Sequence, residues 1–313
     1  MKRWLKRIGI FLIVVVVLLY VIPTDYTPII PQSPYANSRF IPVGDNIVLH
    51  TQVEDENRVK GKVLLIHGFM ASTYSYRHVI EPLADAGYAV VAVDLPSFGY
   101  SSKSTTAQLT QANYARWLNT LMKTFDAQWD DNRPWQVVGH SMGASTAITL
   151  ADAYPATIHS LSLIAPAVSQ RSPSIGWLLA NPIGQGLKVA LRYALLTPSN
   201  FESLLSGAMG RTPTADEVQG YLSPFHVQGA IDALVRYVQT SKNTTLADVE
   251  LSLPVFVVWG EQDSWVPVEN LLDVEAALNV VSVKRYPNAG HLPHETEPTF
   301  TSDLLALWST EQP

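Results

Sequence analysis

The sequence predicts an α/β fold built on a mostly parallel sheet flanked by helices, and three observations predict it. Short, mainly apolar runs recur at 62–66, 88–93 and 255–259, with Leu161-Ser162-Leu163-Ile164 between the last two, as in strands buried on both faces of a sheet. Helix-period segments separate these runs, which is the rhythm of right-handed βαβ units. Finally, Val137-Val138-Gly139-His140-Ser141-Met142-Gly143 leads into the small-residue stretch 144–150, a pattern of strand, sharp turn and helix.

Lys2, Arg3, Lys6 and Arg7 precede an uncharged run over 8–24, at the short end of the roughly 17–25 residues that span a bilayer. No small-residue cleavage pattern follows the apolar stretch. Residues 1–24 are therefore expected to stay in place as a signal-anchor, a single transmembrane helix with its basic end inside and the catalytic domain outside the cytoplasm. The rival expectation is secretion after signal cleavage. Residues 25–38 carry Pro28, Pro31 and Pro34 among polar residues and are expected to form an extended spacer.

The folded core is expected over 39–168 and 246–313. It opens with an edge hairpin at 40–53, where Pro42 is tolerable only on an outer strand. The strand at 62–66 ends in His67-Gly68-Phe69-Met70, and a helix follows through 80–86. The strand at 88–93 closes in Asp94-Leu95-Pro96-Ser97-Phe98-Gly99-Tyr100-Ser101. An amphipathic helix over 107–126 returns the chain to the strand at 135–138. From 169 to 245 the strand rhythm stops. Pro182, Pro198, Pro213 and Pro224 break this stretch, which is rich in Leu and Ala and holds Trp177 and Tyr193, so it is expected to be an inserted helical cap. Strands resume at 255–259 and 280–286, with helices near 268–278 and 299–307.

Composition narrows the function. A chain of 313 residues with 47% hydrophobic residues supports one large core. A net charge of −6 argues against nucleic acid, whose phosphates call for a basic face. The absence of cysteine excludes disulfides, a thiolate nucleophile and cysteine-ligated zinc.

A serine on a tight strand-to-helix turn has its hydroxyl held out of the sheet, close to the unpaired N–H groups of the helix. It needs a histidine to take its proton and a carboxylate to hold that histidine in one tautomer. His291, after Gly290 at the end of a strand, is the expected base. Asp263 is the expected acid, with Glu261 as the weaker alternative, because the rival position after 161–164 reads Ala165-Pro166-Ala167. His294 is expected behind the site or at the surface. His291 and His294 could also be read as zinc ligands, but Pro293 spoils the helix between them and no third ligand is apparent. His67 is expected to fix the loop that contains it. Strand alternation points His140 away from Ser141 and toward packing.

Taken together, these stretches resemble the α/β-hydrolase family over about 40–308. G-H-S-M-G resembles its nucleophile elbow, H-G-F-M its oxyanion loop, and D-L-P-S-F-G-Y-S its D-x-P-G-x-G-x-S loop, with Ser97 where glycine is usual. W-G-E-Q-D-S-W-V-P carries an acid and N-A-G-H-L-P-H-E a base. The resemblance implies a catalytic triad of Ser141, Asp263 and His291, an oxyanion hole from the Phe69 and Met142 backbone N–H groups, and neither cofactor nor metal. It implies a serine esterase acting on a small-molecule ester. Apolar stretches at 175–180, 195–196 and 201–205, with Phe69, Met70 and Met142, point to small or medium acyl groups. Dehalogenases and epoxide hydrolases use aspartate in place of Ser141. Carbon–carbon hydrolases, thioesterases, amidases and perhydrolases keep the serine and stay open. A non-catalytic, membrane-tethered binding protein is the alternative outside enzymes. The oligomeric state is not legible.

Overall fold

A computed structural model of the protein describes residues 2–25, 33–55, 59–168, 183–241, 246 and 249–310. Eight strands form one sheet: β1 (Ser38–Pro42), β2 (Val48–Glu54), β3 (Gly61–Ile66), β4 (Tyr88–Val93), β5 (Trp135–His140), β6 (Ile158–Ile164), β7 (Val255–Gly260) and β8 (Val280–Tyr286). Their order is β1-β2-β4-β3-β5-β6-β7-β8. Only the pairings made by β2 are antiparallel; β4, β3 and β5 to β8 run parallel. The expected hairpin is therefore the edge of the sheet, and Pro42 is the last residue of the outermost strand, where its missing N–H breaks no inner ladder.

The continuous apolar runs follow from burial on both faces. Val63 and Leu65 face a cluster with α2 (Ile80–Asp85) and α11 (Phe300–Ser309). Leu64 and Ile66 face the opposite cluster with α3 (Gln111–Trp129) and α4 (Met142–Ala153). The helix expected at 107–126 starts later than its apolar pattern, because the Thr110 side chain accepts the Asn113 N–H and fixes the N-cap. It stops where Asp130 turns left-handed at φ 50°.

Between β6 and β7 lie α5 (Ile183–Ala190), a π-helical turn (Leu191–Leu195), α6 (Pro198–Met209), α7 (Ala215–Leu222) and α8 (Ala230–Thr240). Pro198 opens α6, and Thr214 with Glu217 forms a capping box on α7. The expected apolar stretch 175–180 with Trp177, as well as Pro182, Pro28 and Pro31, lies outside the described residues. After α9 (Leu271–Ala277) and β8, the short helix α10 (Pro293–Thr296) begins just beyond His291.

The expected membrane anchor is corrected. Its residues form a helix, α1 (Lys2–Val21), yet no helix among the described residues is long and apolar enough to cross a membrane. The uncharged run was counted to Thr24, but the helix ends at Val21. Its uncharged part therefore rises only about 21 Å at 1.5 Å per residue, against roughly 30 Å of hydrocarbon. The single-pass topology and the location derived from it are withdrawn. The end of α1 is tied to the body instead. Gln185 Nε2 donates to Leu19 O at 3.0 Å, Tyr193 Oη to Pro23 O at 2.8 Å, and the Gly229 N–H to Asp25 Oδ1 at 2.8 Å.

Candidate active site

Ser141 stands between β5 and α4 at φ 51°, ψ −113°. A non-glycine residue in that region carries strain of order 1–3 kcal/mol. The neighbouring glycines make the turn possible by close approach. A Cβ on Gly143 would lie 2.3 Å from Ile66 O, and one on Gly139 would lie 2.5 Å from Gly143 O. The Ser141 N–H donates to Ile164 O at 2.8 Å, which anchors the turn to β6. Met142 is the first residue of α4, so its N–H is among the donors that the helix leaves unpaired.

On the facing loop, the Ala71 N–H closes a turn onto Gly68 O at 3.3 Å, and Phe69 lies inside that turn. His67 holds the loop, as expected. Its Nε2 accepts the Leu95 N–H at 3.0 Å, so the proton sits on Nδ1 and donates to Gly68 O at 2.7 Å. Burial keeps this imidazole neutral by pushing its pKa down.

Asp263 and His291 come together: Nδ1 of the imidazole lies 2.7 Å from Asp263 Oδ2. The other oxygen of the carboxylate accepts the N–H groups of Trp265 and Val266 at 2.8 and 2.9 Å. With Asp263 accepting on both oxygens, the Nδ1–H of His291 donates to Oδ2, and Nε2 is the ring nitrogen turned away from the acid. The alternative acid, Glu261, is exposed. The backbone of the histidine is also fixed, its N–H donating to Ala208 O of α6 at 2.7 Å.

Ser141, His291, Phe69 and His140 line one cavity of about 210 Å³, closed by Met70, Phe201, Leu205, Tyr221 and Trp265. Among the described residues its lining holds no Lys, Arg, Asp or Glu. A hydroxyl and an imidazole in one mainly apolar cavity, beside the first N–H of a helix, form a setting suited to nucleophilic attack and to stabilising the charge that develops.

The sequence reading gave the partners of two further histidines in neither case. Packing describes His140 only in part: its Nε2 donates to His291 O at 2.9 Å, and its ring lies 4.6 Å from that of His291. Burial, with His291 and His294 beside it, pushes its pKa well below the ordinary range. His294 is 2% exposed and not a surface residue. Its Nε2 lies 2.7 Å from Ser75 Oγ, so it and His291 serve different partners.

Sequence reasoning also missed Trp265, whose ring stacks 5.6 Å from that of His291, although the motif around Asp263 contains it. It missed a second Ser–His–Asp arrangement as well. Ser38 Oγ lies 2.8 Å from His50 Nε2, and His50 Nδ1 lies 2.7 Å from Asp94 Oδ2. Burial alone would raise the Asp94 pKa, but His50 and the Tyr100 N–H hold it down at about 2. The surroundings distinguish this set from the one at Ser141. Ser38 is on an edge strand, its Oγ accepts the Tyr35 N–H at 3.1 Å, and its own N–H donates to Tyr35 O at 3.2 Å. No helix N-terminus follows it, and Asp94 also takes the Thr73 N–H at 2.6 Å, so the set braces the hairpin against two loops.

The sheet order, the strained turn and the cavity at the ends of the parallel strands define a class. The sequence pattern of the alpha/beta hydrolase fold matches residues 62–298, and the chain belongs to that family. Among curated relatives, a monoacylglycerol lipase of Mycolicibacterium smegmatis is 26% identical over 287 residues, covering 88% of this chain and 98% of its own. Among solved structures, a membrane phospholipase A superposes with a TM-score of 0.68 at 24% identity, covering 99% of each chain. A serine hydrolase of carbazole degradation superposes with a TM-score of 0.71 at 18% identity, covering 88% of this chain and 99% of that one. At such identities the superpositions bear on the fold alone. The relatives support a hydrolase acting on small molecules.

Proposed function

We propose that this hydrolase cleaves carboxylic esters through an acyl-enzyme. In this reading Ser141 attacks the ester carbonyl while His291 Nε2 takes its proton. Asp263 holds the imidazole and stabilises its protonated form, and the Phe69 and Met142 N–H groups receive the oxyanion. The imidazolium then protonates the leaving alkoxide, and a water activated by the same nitrogen releases the acid. Residues 169–245 act as a cap over the acyl pocket, with 39–168 and 246–313 as the core.

The observation that carries this reading is Asp263 Oδ2 at 2.7 Å from His291 Nδ1, with the imidazole and Ser141 lining the same cavity. The cavity also bears on the substrate. Among the described residues the lining is mainly apolar and holds no Lys or Arg, which favours an apolar acyl group over a charged one. An apolar wall adds about 0.8 kcal/mol of binding for each methylene buried, and about 210 Å³ limits how many fit. Specificity should therefore rise from acetyl to medium chains and then fall. The test is kcat/KM on p-nitrophenyl esters from acetate to palmitate. A maximum between butyrate and octanoate is expected, and a maximum at acetate, or turnover of vinylogous diketones with no ester cleaved, would overturn the reading.

A further inference from the structure

The cavity is walled from two sides: from the core by the loops that carry Phe69, Ser141 and His291, and from the interposed helices by α6 and α7. Tyr221 of α7 is one of the wall residues. Its hydroxyl is bound outside its own helix, donating to Oε1 of Glu295, four residues beyond His291.

The Glu295 side chain is wholly removed from solvent and collects donors from three places. Besides Tyr221, it takes the Ser75 hydroxyl at 3.1 Å and the guanidinium of Arg77. Ser75 and Arg77 belong to the turn just after the H-G-F-M loop. The other arm of Arg77 donates to Glu217 Oε1 at 3.0 Å. Glu217 is the capping-box residue of α7, and Arg211 closes it from the far side at 2.6 and 2.9 Å. Packing follows the same line. Tyr74 donates to Asp216 O at 3.1 Å, and a Cβ on Gly220 would lie 2.1 Å from its ring, so helix and ring are in direct contact.

A buried carboxylate with this many partners is a poor way to gain stability, since apolar side chains of similar volume do as well or better. What such a network does fix is relative position. Here it joins three segments set around the cavity: the turn beyond the oxyanion loop, the segment beyond His291, and, through Tyr221, one wall of the acyl cavity. His294 shares the network, since its Nε2–H donates to Ser75 Oγ while the serine hydroxyl turns to Glu295.

We propose that Glu295, held by Arg77, is a positioning residue that fixes the Tyr221 ring as a rigid wall of the acyl cavity and so sets the chain length that the enzyme accepts. The inference rests on Ser141 being the nucleophile. A network that only braced the fold would, when cut, slow every substrate alike. A network that holds a wall would, when cut, change the ratio between long and short chains.

The test uses fluorophosphonates with butyl and hexadecyl chains, and measures labelling rates at Ser141 in the full chain. The variants are Tyr221→Phe, Glu295→Gln and the pair combined. The hexadecyl-to-butyl rate ratio should rise about tenfold in each single variant, the loss of one hydrogen bond to a charged group. The double variant should rise no further than Tyr221→Phe, because that change already removes the contact through which Glu295 acts on the ring. Glu295→Gln keeps an acceptor but loses the charge that Arg77 holds. Tyr221→Phe keeps the ring and the other partners of Glu295, so it carries the test alone if Glu295→Gln fails to fold. An unchanged ratio in Tyr221→Phe, equal slowing of both probes, or full additivity in the double variant would overturn the proposal. Absence of labelling on wild-type Ser141 would remove the hydrolase reading, and this inference with it.

Discussion

The buried imidazole of His294 makes the protein's acid stability calculable. Burial, with His291 and the Arg77 cation nearby, pushes its pKa from 6.5 down to about 3. In the unfolded chain the ordinary value returns. Between about pH 6.5 and pH 3 the unfolded chain therefore binds a proton that the folded chain refuses. Stability from this site is complete above pH 6.5 and is lost as the pH falls through that window. At 1.36 kcal/mol per unit, the loss is about 2 kcal/mol at pH 5 and approaches about 5 kcal/mol near pH 3. The perturbation is His294→Gln, which keeps a donor for Ser75 and removes the titration. The assay is urea unfolding at pH 8 and pH 5 for both proteins, comparing the change in free energy between the two pH values. The burial of His67 and His140 shifts them in the same direction, so both proteins should weaken, but the wild type by about 2 kcal/mol more. Equal losses would refute the reasoning, because His294 would then be free to protonate in the folded state.

Asp263→Asn should cost several orders of magnitude in kcat on a butyrate ester, because it favours the wrong imidazole tautomer, while Glu261→Gln on the exposed neighbour leaves the rate unchanged; the reverse pattern would move the acid to Glu261. Ser97→Gly should raise stability by about 1 kcal/mol, seen as a rise in Tm of about 2 °C. Ser97 follows Pro96 at φ 78°, and the Phe98 N–H closes on Leu95 O at 2.9 Å, the third position of a type II turn, which favours glycine. Its buried Oγ has no partner among the described residues, so a Tm that stays flat or falls would contradict this account of the loop.

What could be read from the sequence was what local pattern dictates. Parallel strands buried on both faces announce themselves as unbroken apolar runs, and the glycines of G-H-S-M-G announce a turn that no Cβ would fit. Asp263 and His291 were legible because each follows a strand, and the ends of parallel strands converge on one edge of the sheet. The errors lie where tertiary contact overrides pattern. Of the two places expected for His294 the buried one holds, but nothing in L-P-H-E says that Ser75, more than two hundred residues earlier, will cover it. Strand alternation put His140 into packing, which holds, but alternation cannot tell that its Nε2–H will reach the carbonyl of His291. The N-terminal run was read by counting uncharged residues, and the helix stops short of that count. Trp265 could have been suspected from its place two residues after Asp263, but Tyr221 carries no local signal for the cavity it lines, since only the approach of separate segments gives it that position.

The central claim is that Ser141 is the nucleophile and that the similar set at Ser38 is not. The most direct measurement is peptide mass spectrometry of the protein after reaction with a fluorophosphonate, for the wild type and Ser141→Ala. The account predicts one adduct, on the peptide containing Ser141, and none in the variant. An adduct on Ser38, or undiminished labelling of Ser141→Ala, would contradict it.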